Sequence, residues 1–230
     1  MTSWATWAEV GTAVGTLVLA GATFSSVRSS SRMARIAEHA LLASQRPVLA
    51  PSGPDDPPAR VQFADGRVFA LPAGQPLVER SSGTIYLAVP LCNVGAGIAV
   101  LRAYYLQADT APDVAQDPQG PARHLRGDTA PNVSSFVLQQ RDLLISPGRV
   151  GFWQAALRDP GAPLYAATAE AVGTAGRITV DVLYGDHEGG QPTITRLVLL
   201  PDEGGLWRCD ATRHWSLRST TNELRDLGFT

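Results

Sequence analysis

A chain of 230 residues with a formal net charge of −2 at pH 7 has room for one domain with a sizeable core, and it carries no basic footprint for nucleic acid. All nineteen of its Lys+Arg residues are arginine. A Walker A loop, a protein-kinase strand lysine and a PLP Schiff base are therefore excluded in their usual forms.

The first feature in chain order is Val10 to Val27, an uncharged run between Glu9 and Arg28. At ~1.5 Å rise per residue it would span roughly 27 Å as a helix, close to the ~30 Å hydrocarbon core of a bilayer. Trp4 and Trp7 precede it, within a short flank of residues 1–9, where amphipathic rings favour the headgroup level. We expect a single transmembrane helix over 10–27. Gly11, Thr12, Gly15, Thr16, Gly21, Thr23, Ser25 and Ser26 dilute its apolar residues, so insertion alone is marginal. Gly11-x-x-x-Gly15 would let a second helix approach closely in a homodimer; the alternative is that Gly and Ala are simply common in this chain.

The n-region has no Arg or Lys, which argues against a cleaved signal peptide despite the small residues Ala20-Gly21-Ala22. Positive charge follows the run instead, at Arg28, Arg32 and Arg35. That bias predicts a single-pass cell-membrane protein with its C-terminal domain in the cytoplasm. The polar dilution keeps a second reading open, in which the segment is a helix docked on a soluble protein.

Residues 28–46 read as a juxtamembrane amphipathic helix, with Met33, Ile36, Ala37, Ala40 and Leu41 at 3–4 spacing. It either self-associates or lies on the domain. Arg46-Pro47 ends it, because the residue before proline avoids the helical region.

Residues 47–219 are predicted as a β-sandwich. A first strand at Pro47–Ala50 leads into the Pro-rich loop 51–58. Asp65-Gly66 is a hairpin turn between Val61–Phe63 and Val68–Leu71. Ile85, Leu87, Val89 and Leu91 alternate over a strand. After the turn Asn93-Val94-Gly95-Ala96-Gly97, a second strand carries Ile98, Val100, Tyr104 and Leu106 on one face. Residues 110–133 are polar and Pro/Gly-rich, a long surface excursion.

Strand character resumes from Phe136 to Ile145. Pro147-Gly148 then turns the chain into Val150–Leu157, and Leu164–Val172 reads as a short helix. Arg177–Tyr184 is the strongest strand, with Thr193–Leu200 as its partner. Leu206–Arg208 and His214–Leu217 are candidate last strands. Thr220-Thr221-Asn222-Glu223 fits a capping box, opening a short helix within residues 220–230 that Gly228 closes. Short strands with Gly/Pro turns imply a mainly β fold, an antiparallel immunoglobulin-like sandwich.

The order of an N-terminal span, a basic helix ending at Arg46-Pro47, the Asn93–Gly97 turn and the Pro147-Gly148 turn resembles uncharacterised bacterial single-span membrane proteins of actinobacterial type with a small β-sandwich. The Ala-, Gly-, Pro- and Arg-rich composition without lysine also resembles products of GC-rich bacterial genomes. The resemblance implies the architecture and carries no active site.

Chemistry-bearing constellations are sparse. Gly95-Ala96-Gly97 lacks the third glycine and the following helix of a dinucleotide loop, and reads as a turn. Asp186-His187-Glu188 collects three potential ligands in one loop, but consecutive extended residues point to alternate faces. Cys209-x4-His214 is one ligand pair where zinc needs four ligands, or three plus water. Cys92 has nothing nearby in sequence to lower its pKa, and no Gly-x-Ser-x-Gly elbow occurs. His39 and His124 read as surface residues.

Cys92 and Cys209 would stay reduced and buried in a cytoplasmic domain, and would be free to pair if the topology were reversed. Tyr104-Tyr105 and Phe152-Trp153 place aromatic rings on both faces of their strands, which reads either as a two-sided core or as an interaction surface.

The expectation is a non-enzymatic, membrane-anchored protein that binds another protein through its sandwich, with no cofactor, no metal and no nucleic-acid partner. The competing readings are a hydrolase or metal-dependent enzyme using the 186–188 loop, and a soluble sandwich with a docked N-terminal helix.

Overall fold

The structure, a computed structural model, describes residues 3–109, 130–202, 204–217 and 222–229. It divides into two compact units, Met1–Gln45 and Arg46–Thr230.

The first unit is one helix, α1 (Ser3–Ser44), 42 residues long. The expected segments 10–27 and 28–46 are therefore continuous, without a break at Arg28. Gln45 still donates to the Leu41 carbonyl at 3.1 Å, and Pro47 then stops the helix because its ring crowds a helical predecessor. Leu17, Leu19, Phe24, Val27, Met33, Ile36 and Leu41 are all exposed, Leu17 to 73%. Thr23 Oγ1 donates to the Leu19 carbonyl at 2.8 Å, Ser25 Oγ to Ala22 at 2.9 Å and Ser31 Oγ to Val27 at 2.7 Å.

Among the described residues, no helix is long and apolar enough to cross a membrane. The dilution by Gly, Thr and Ser explains why 10–27 forms a helix without reaching that threshold. The side chains of Trp4, Trp7, His39 and residues 10–14 lie outside the described set.

The second unit is built from antiparallel sheets. In one, β5 (Thr84–Asn93) is central. β8 (Val150–Leu157) lies along one side of it, and β1 (Leu49–Pro51) and β4 (Leu77–Ser81) share the other. The larger sheet runs β11 (Trp207–Ser216), β10 (Thr193–Pro201), β9 (Arg177–Gly185), β6 (Ala99–Asp109) and β7 (Val137–Ile145). A separate hairpin pairs β2 (Ala59–Gln62) with β3 (Val68–Leu71). Its turn contains Gly66 at φ +82°, as the Asp65-Gly66 signal implied.

The two sheets face each other across one core. Ile85, Leu87, Val89 and Leu91 of β5 meet Leu101 and Leu106 of β6 and Ile178, Val180 and Val182 of β9. Helix α2 (Pro163–Gly173) closes one side of this core with Tyr165 and Ala171. It begins with proline, whose fixed φ suits a first helical turn.

Neither central strand has a wet face. Behind β5, Tyr86 and Ala88 pack with Phe63, Val61 and Leu71 of the β2–β3 hairpin. Behind β9, Leu183 packs with Ile194, Ala103 and Phe136, under Leu224 and Phe229 at α3 (Asn222–Asp226). The sequence alternation of β5 and β9 thus marks two different apolar neighbours, where a one-sided strand would have core and solvent.

Four details differ from the sequence reading. Leu77–Ser81 is a strand, joined to β5 by a turn with Ser82 and Gly83 both at positive φ. Residues 207–216 form one strand, where two pieces were expected, because a bulge skips Thr212 between the pairs Arg196–Arg213 and Leu197–Ala211. A second bulge, at Arg102, shifts the phase of β6. Leu101 and Leu106 share the main core with Tyr104, so Val100 is not on the face of Tyr104. A short 3-10 turn at Val133–Ser135, capped by Asn132, precedes β7. Most of the predicted excursion 110–133, with His124, lies outside the described residues, as do Thr220 and Thr221 of the capping box.

Candidate functional site

The residues singled out for chemistry resolve into structural parts. Asp186 Oδ1 accepts backbone N–H bonds from Glu188 at 3.0 Å and Gly190 at 2.7 Å, which makes it the organiser of the β9–β10 turn. His187 and Glu188 point outward and are exposed. Among the described residues, no group of three His, Cys, Asp or Glu is placed to hold a metal ion. Asp186 Oδ1 is committed to the turn itself.

Cys92 and Cys209 are free thiols on different sheets. Burial pushes the Cys209 thiol up to about 12, with Asp210 adding to the effect, and burial also raises Cys92. Both stay protonated near neutrality, the weakly nucleophilic form.

A Thr195–His214 contact was not legible in the sequence. Thr195 Oγ1 lies 2.8 Å from His214 Nδ1 and 3.0 Å from the Tyr184 hydroxyl, which accepts from Leu49 N–H at 3.2 Å. Arg46 bonds Thr193 Oγ1 at 3.0 Å and also Ser216 Oγ. Tyr184 and Thr195 are buried. In the satisfied arrangement Tyr184 donates to Thr195 and Thr195 to His214, which requires an unprotonated Nδ1. Burial first, and then the charge of Arg46, lowers the His214 pKa in agreement. With its hydroxyls hydrogen-bonded to one another beneath β1, the cluster joins sheet to sheet.

The Asn93–Gly97 turn belongs to the same junction. Asn93 Nδ2 donates to the carbonyls of Gly97 at 2.7 Å and Ile145 at 2.9 Å, while its Oδ1 accepts from Val48 N–H at 3.2 Å and Gly95 N–H at 3.1 Å. Gly148 N–H donates to the Asn93 carbonyl at 2.8 Å, which ties in the Pro147-Gly148 turn.

The four aromatics do not form one surface. Trp153 is fully buried in the main core, and Tyr104 sits edge-on to it at 5.2 Å. Tyr105 stacks obliquely on Phe136 at 6.0 Å behind the larger sheet, and Phe152 packs behind β5. They belong to a two-sided core. Trp4, Trp7, Arg28, Arg32, Arg35, Gly11 and Gly15 all fall in α1. Among the described residues, nothing lies within 4 Å of where a Gly15 side chain would start.

What the structure adds is a cleft between the edge strands β7 and β8, with a volume of about 460 Å³, lined also by Gln62 and Phe63 beside the hairpin. Its origin is the β6–β7 bulge. Leu101 pairs with Leu143 and Ala103 with Leu138, so four residues of β7, 139–142, stand opposite Arg102 alone. Gln139 and Gln140 are thereby released from the ladder and line the cleft with Tyr104, Leu138, Gln154 and Arg158. A bulge on an edge strand commonly re-aims side chains in this way. Burial raises the pKa of the Tyr104 phenol, so it is neutral and able to donate.

Comparison of the chain with family models, with characterised proteins and with solved structures finds no match.

Proposed function

We propose that this protein is a membrane-tethered binding module: α1 holds the chain at a lipid bilayer and the β-domain engages a protein partner. One observation carries the reading. Leu17, Leu19, Phe24 and Val27 stand exposed on a helix with no charged residue between Glu9 and Arg28, and arginines follow at 28, 32 and 35. Exposed apolar side chains on an uncharged stretch favour lipid or another apolar helix over water.

The Gly, Ser and Thr residues that dilute α1 are consistent with a helix that does not enter lipid alone. The hydroxyls of Thr23, Ser25 and Ser31 already bond to backbone carbonyls of the preceding turn, which lowers their cost in an apolar medium. The small residues, with the Gly11-x-x-x-Gly15 motif, suit pairing with a second copy. The immunoglobulin-like reading of the domain stays at the level of architecture, with the chain changing sheet between β5 and β6 and again between β7 and β8. The arginines at the end of the uncharged run favour a cytoplasmic domain.

Flotation of cell membranes on a density gradient tests the tether. The full chain is expected to rise with the lipid and to resist a high-salt wash. Recovery in the soluble fraction without detergent overturns the proposal.

A further inference from the structure

We propose that the β7–β8 cleft binds an extended polypeptide segment that pairs with the free edge of β8 and places a carboxylate opposite Arg158. This rests on the reading of the domain as a binding module and names the ligand class of its cleft.

The backbone of β8 supplies the first argument. Pro90 of β5 stands opposite Phe152 and its carbonyl bonds Ser52 N–H on the β1 side. The even-numbered residues of β5 therefore turn their peptide groups away from β8. In an antiparallel ladder their partners do the same, so Phe152, Gln154 and Ala156 direct N–H and C=O to the free edge. The cleft opens on that edge, and Gln154, Ala155 and Ala156 line it. Among the described residues no strand pairs with that edge, and an unpaired strand edge facing a cavity is a template for an added strand.

The second argument is the group already there. Gln139 Nε2 donates to the Gln154 carbonyl at 3.0 Å, the bond that a neighbouring strand would make with a backbone N–H. Among the described residues, the Gln154 side-chain Oε1 is buried without a hydrogen-bond partner, and such an acceptor is costly until a donor arrives. Gln140 and Gln154 also line the cleft, and a side-chain amide carries both a donor and an acceptor, as a peptide backbone does. Val137 and Leu138 in the lining are each 54% exposed and offer apolar contact to alternate side chains of a strand.

Charge gives the third argument. Among the described lining residues no carboxylate occurs, and Arg158 is the charged one. Its pairing with Asp65 is long, 4.0 Å, and Asp65 also accepts from the Tyr86 hydroxyl. A ligand carboxylate would find a cation with an incomplete partner set. A volume of about 460 Å³ lies within the ordinary range for ligand clefts.

The test uses the full-length chain in mild detergent and a displayed library of random linear twelve-residue peptides. Synthetic copies of enriched peptides are then titrated by calorimetry. The expected result is enrichment of peptides carrying Asp, Glu or a free C-terminus, with affinity lost at least tenfold in Leu138→Asp. Arg158→Gln should weaken the acidic peptides about tenfold and leave their amide-substituted forms unchanged. Gln139→Ala, which removes the occupying side chain, should bind as tightly or tighter. Slowed amide exchange at Ala156 in the complex should show strand pairing.

No enrichment overturns the proposal, as do peptides that bind Leu138→Asp and wild type alike. Binding of maltohexaose that is lost in Leu138→Asp, without peptide binding, overturns it in favour of a saccharide cleft. None of these outcomes depends on flotation, so failure of the tether and failure of the cleft are separate results.

Discussion

Asn93 shows how much a single neutral side chain holds together. It is fully buried and its amide makes four hydrogen bonds, to the 93–97 turn, to β7 and to the segment that follows α1. Replacing it with alanine removes the side-chain partner of two carbonyls and two N–H groups in a partly buried junction. At ~1–3 kcal/mol for an unsatisfied buried group, softened by relaxation, the loss should reach about 2–4 kcal/mol. A urea midpoint for Asn93→Ala in the full chain would measure it, and an unchanged midpoint would show that water replaces the amide.

His214 works at the same scale through its proton. Its folded pKa is lowered from the ordinary 6.5, so the unfolded chain takes up the proton first as pH falls. Stability from this site is therefore fully present above about pH 6.5 and lost as pH drops through the window below it. Protonated Nδ1 would turn Thr195 Oγ1 into an acceptor there and leave one hydroxyl proton of the Thr195–Tyr184 pair without its acceptor. Thermal unfolding from pH 7.5 to 5 should fall more steeply in wild type than in His214→Gln, where equal slopes would refute the linkage.

At the scale of elements, close approach decides more than propensity. A Cβ on Gly95 would collide with the Arg46 carbonyl and lie 2.5 Å from Val48 N, both backbone atoms that cannot rotate away. Gly95 is required by the chain passing beside it, and no positive φ is involved. Gly95→Ala should cost at least about 1–3 kcal/mol, the usual range for forced overpacking. Differential scanning calorimetry of the full chain should show the drop, whereas Gly66→Asn, at an open hairpin turn with φ +82°, should be nearly neutral. The contrast separates a packing glycine from a turn glycine.

For the whole molecule, the proposed tether sets what the rest can do. The flotation sample supports a second measurement, protease treatment of right-side-out cells carrying a tag after Thr230. A tag that survives until the membrane is opened places the domain inside, where two protonated thiols are in keeping with a reducing compartment. A tag cut in intact cells reverses the orientation inferred from Arg28, Arg32 and Arg35.

Local chemistry made much of this protein legible without coordinates. The helix stop at Arg46-Pro47, the Asp65-Gly66 hairpin, the Pro147-Gly148 turn, α2 and the paired strands β9 and β10 follow from backbone sterics and short-range periodicity. Those forces act within a few residues. The missed elements depend on residues distant in sequence. Leu77–Ser81 is a strand because β5 accepts it, and β11 is continuous because a bulge absorbs Thr212. Alternation on β5 and β9 could not reveal a second apolar layer, since a packed hairpin or helix looks the same as solvent in a period-2 pattern. Tyr104, Tyr105, Phe152 and Trp153 were distributed to their layers by that stacking. The cleft was least legible of all, because it arises where β7 leaves its ladder opposite Arg102 and faces the unpaired edge of β8. Pairing and register are decided by the assembled sheets, so the candidate site exists only in the tertiary structure.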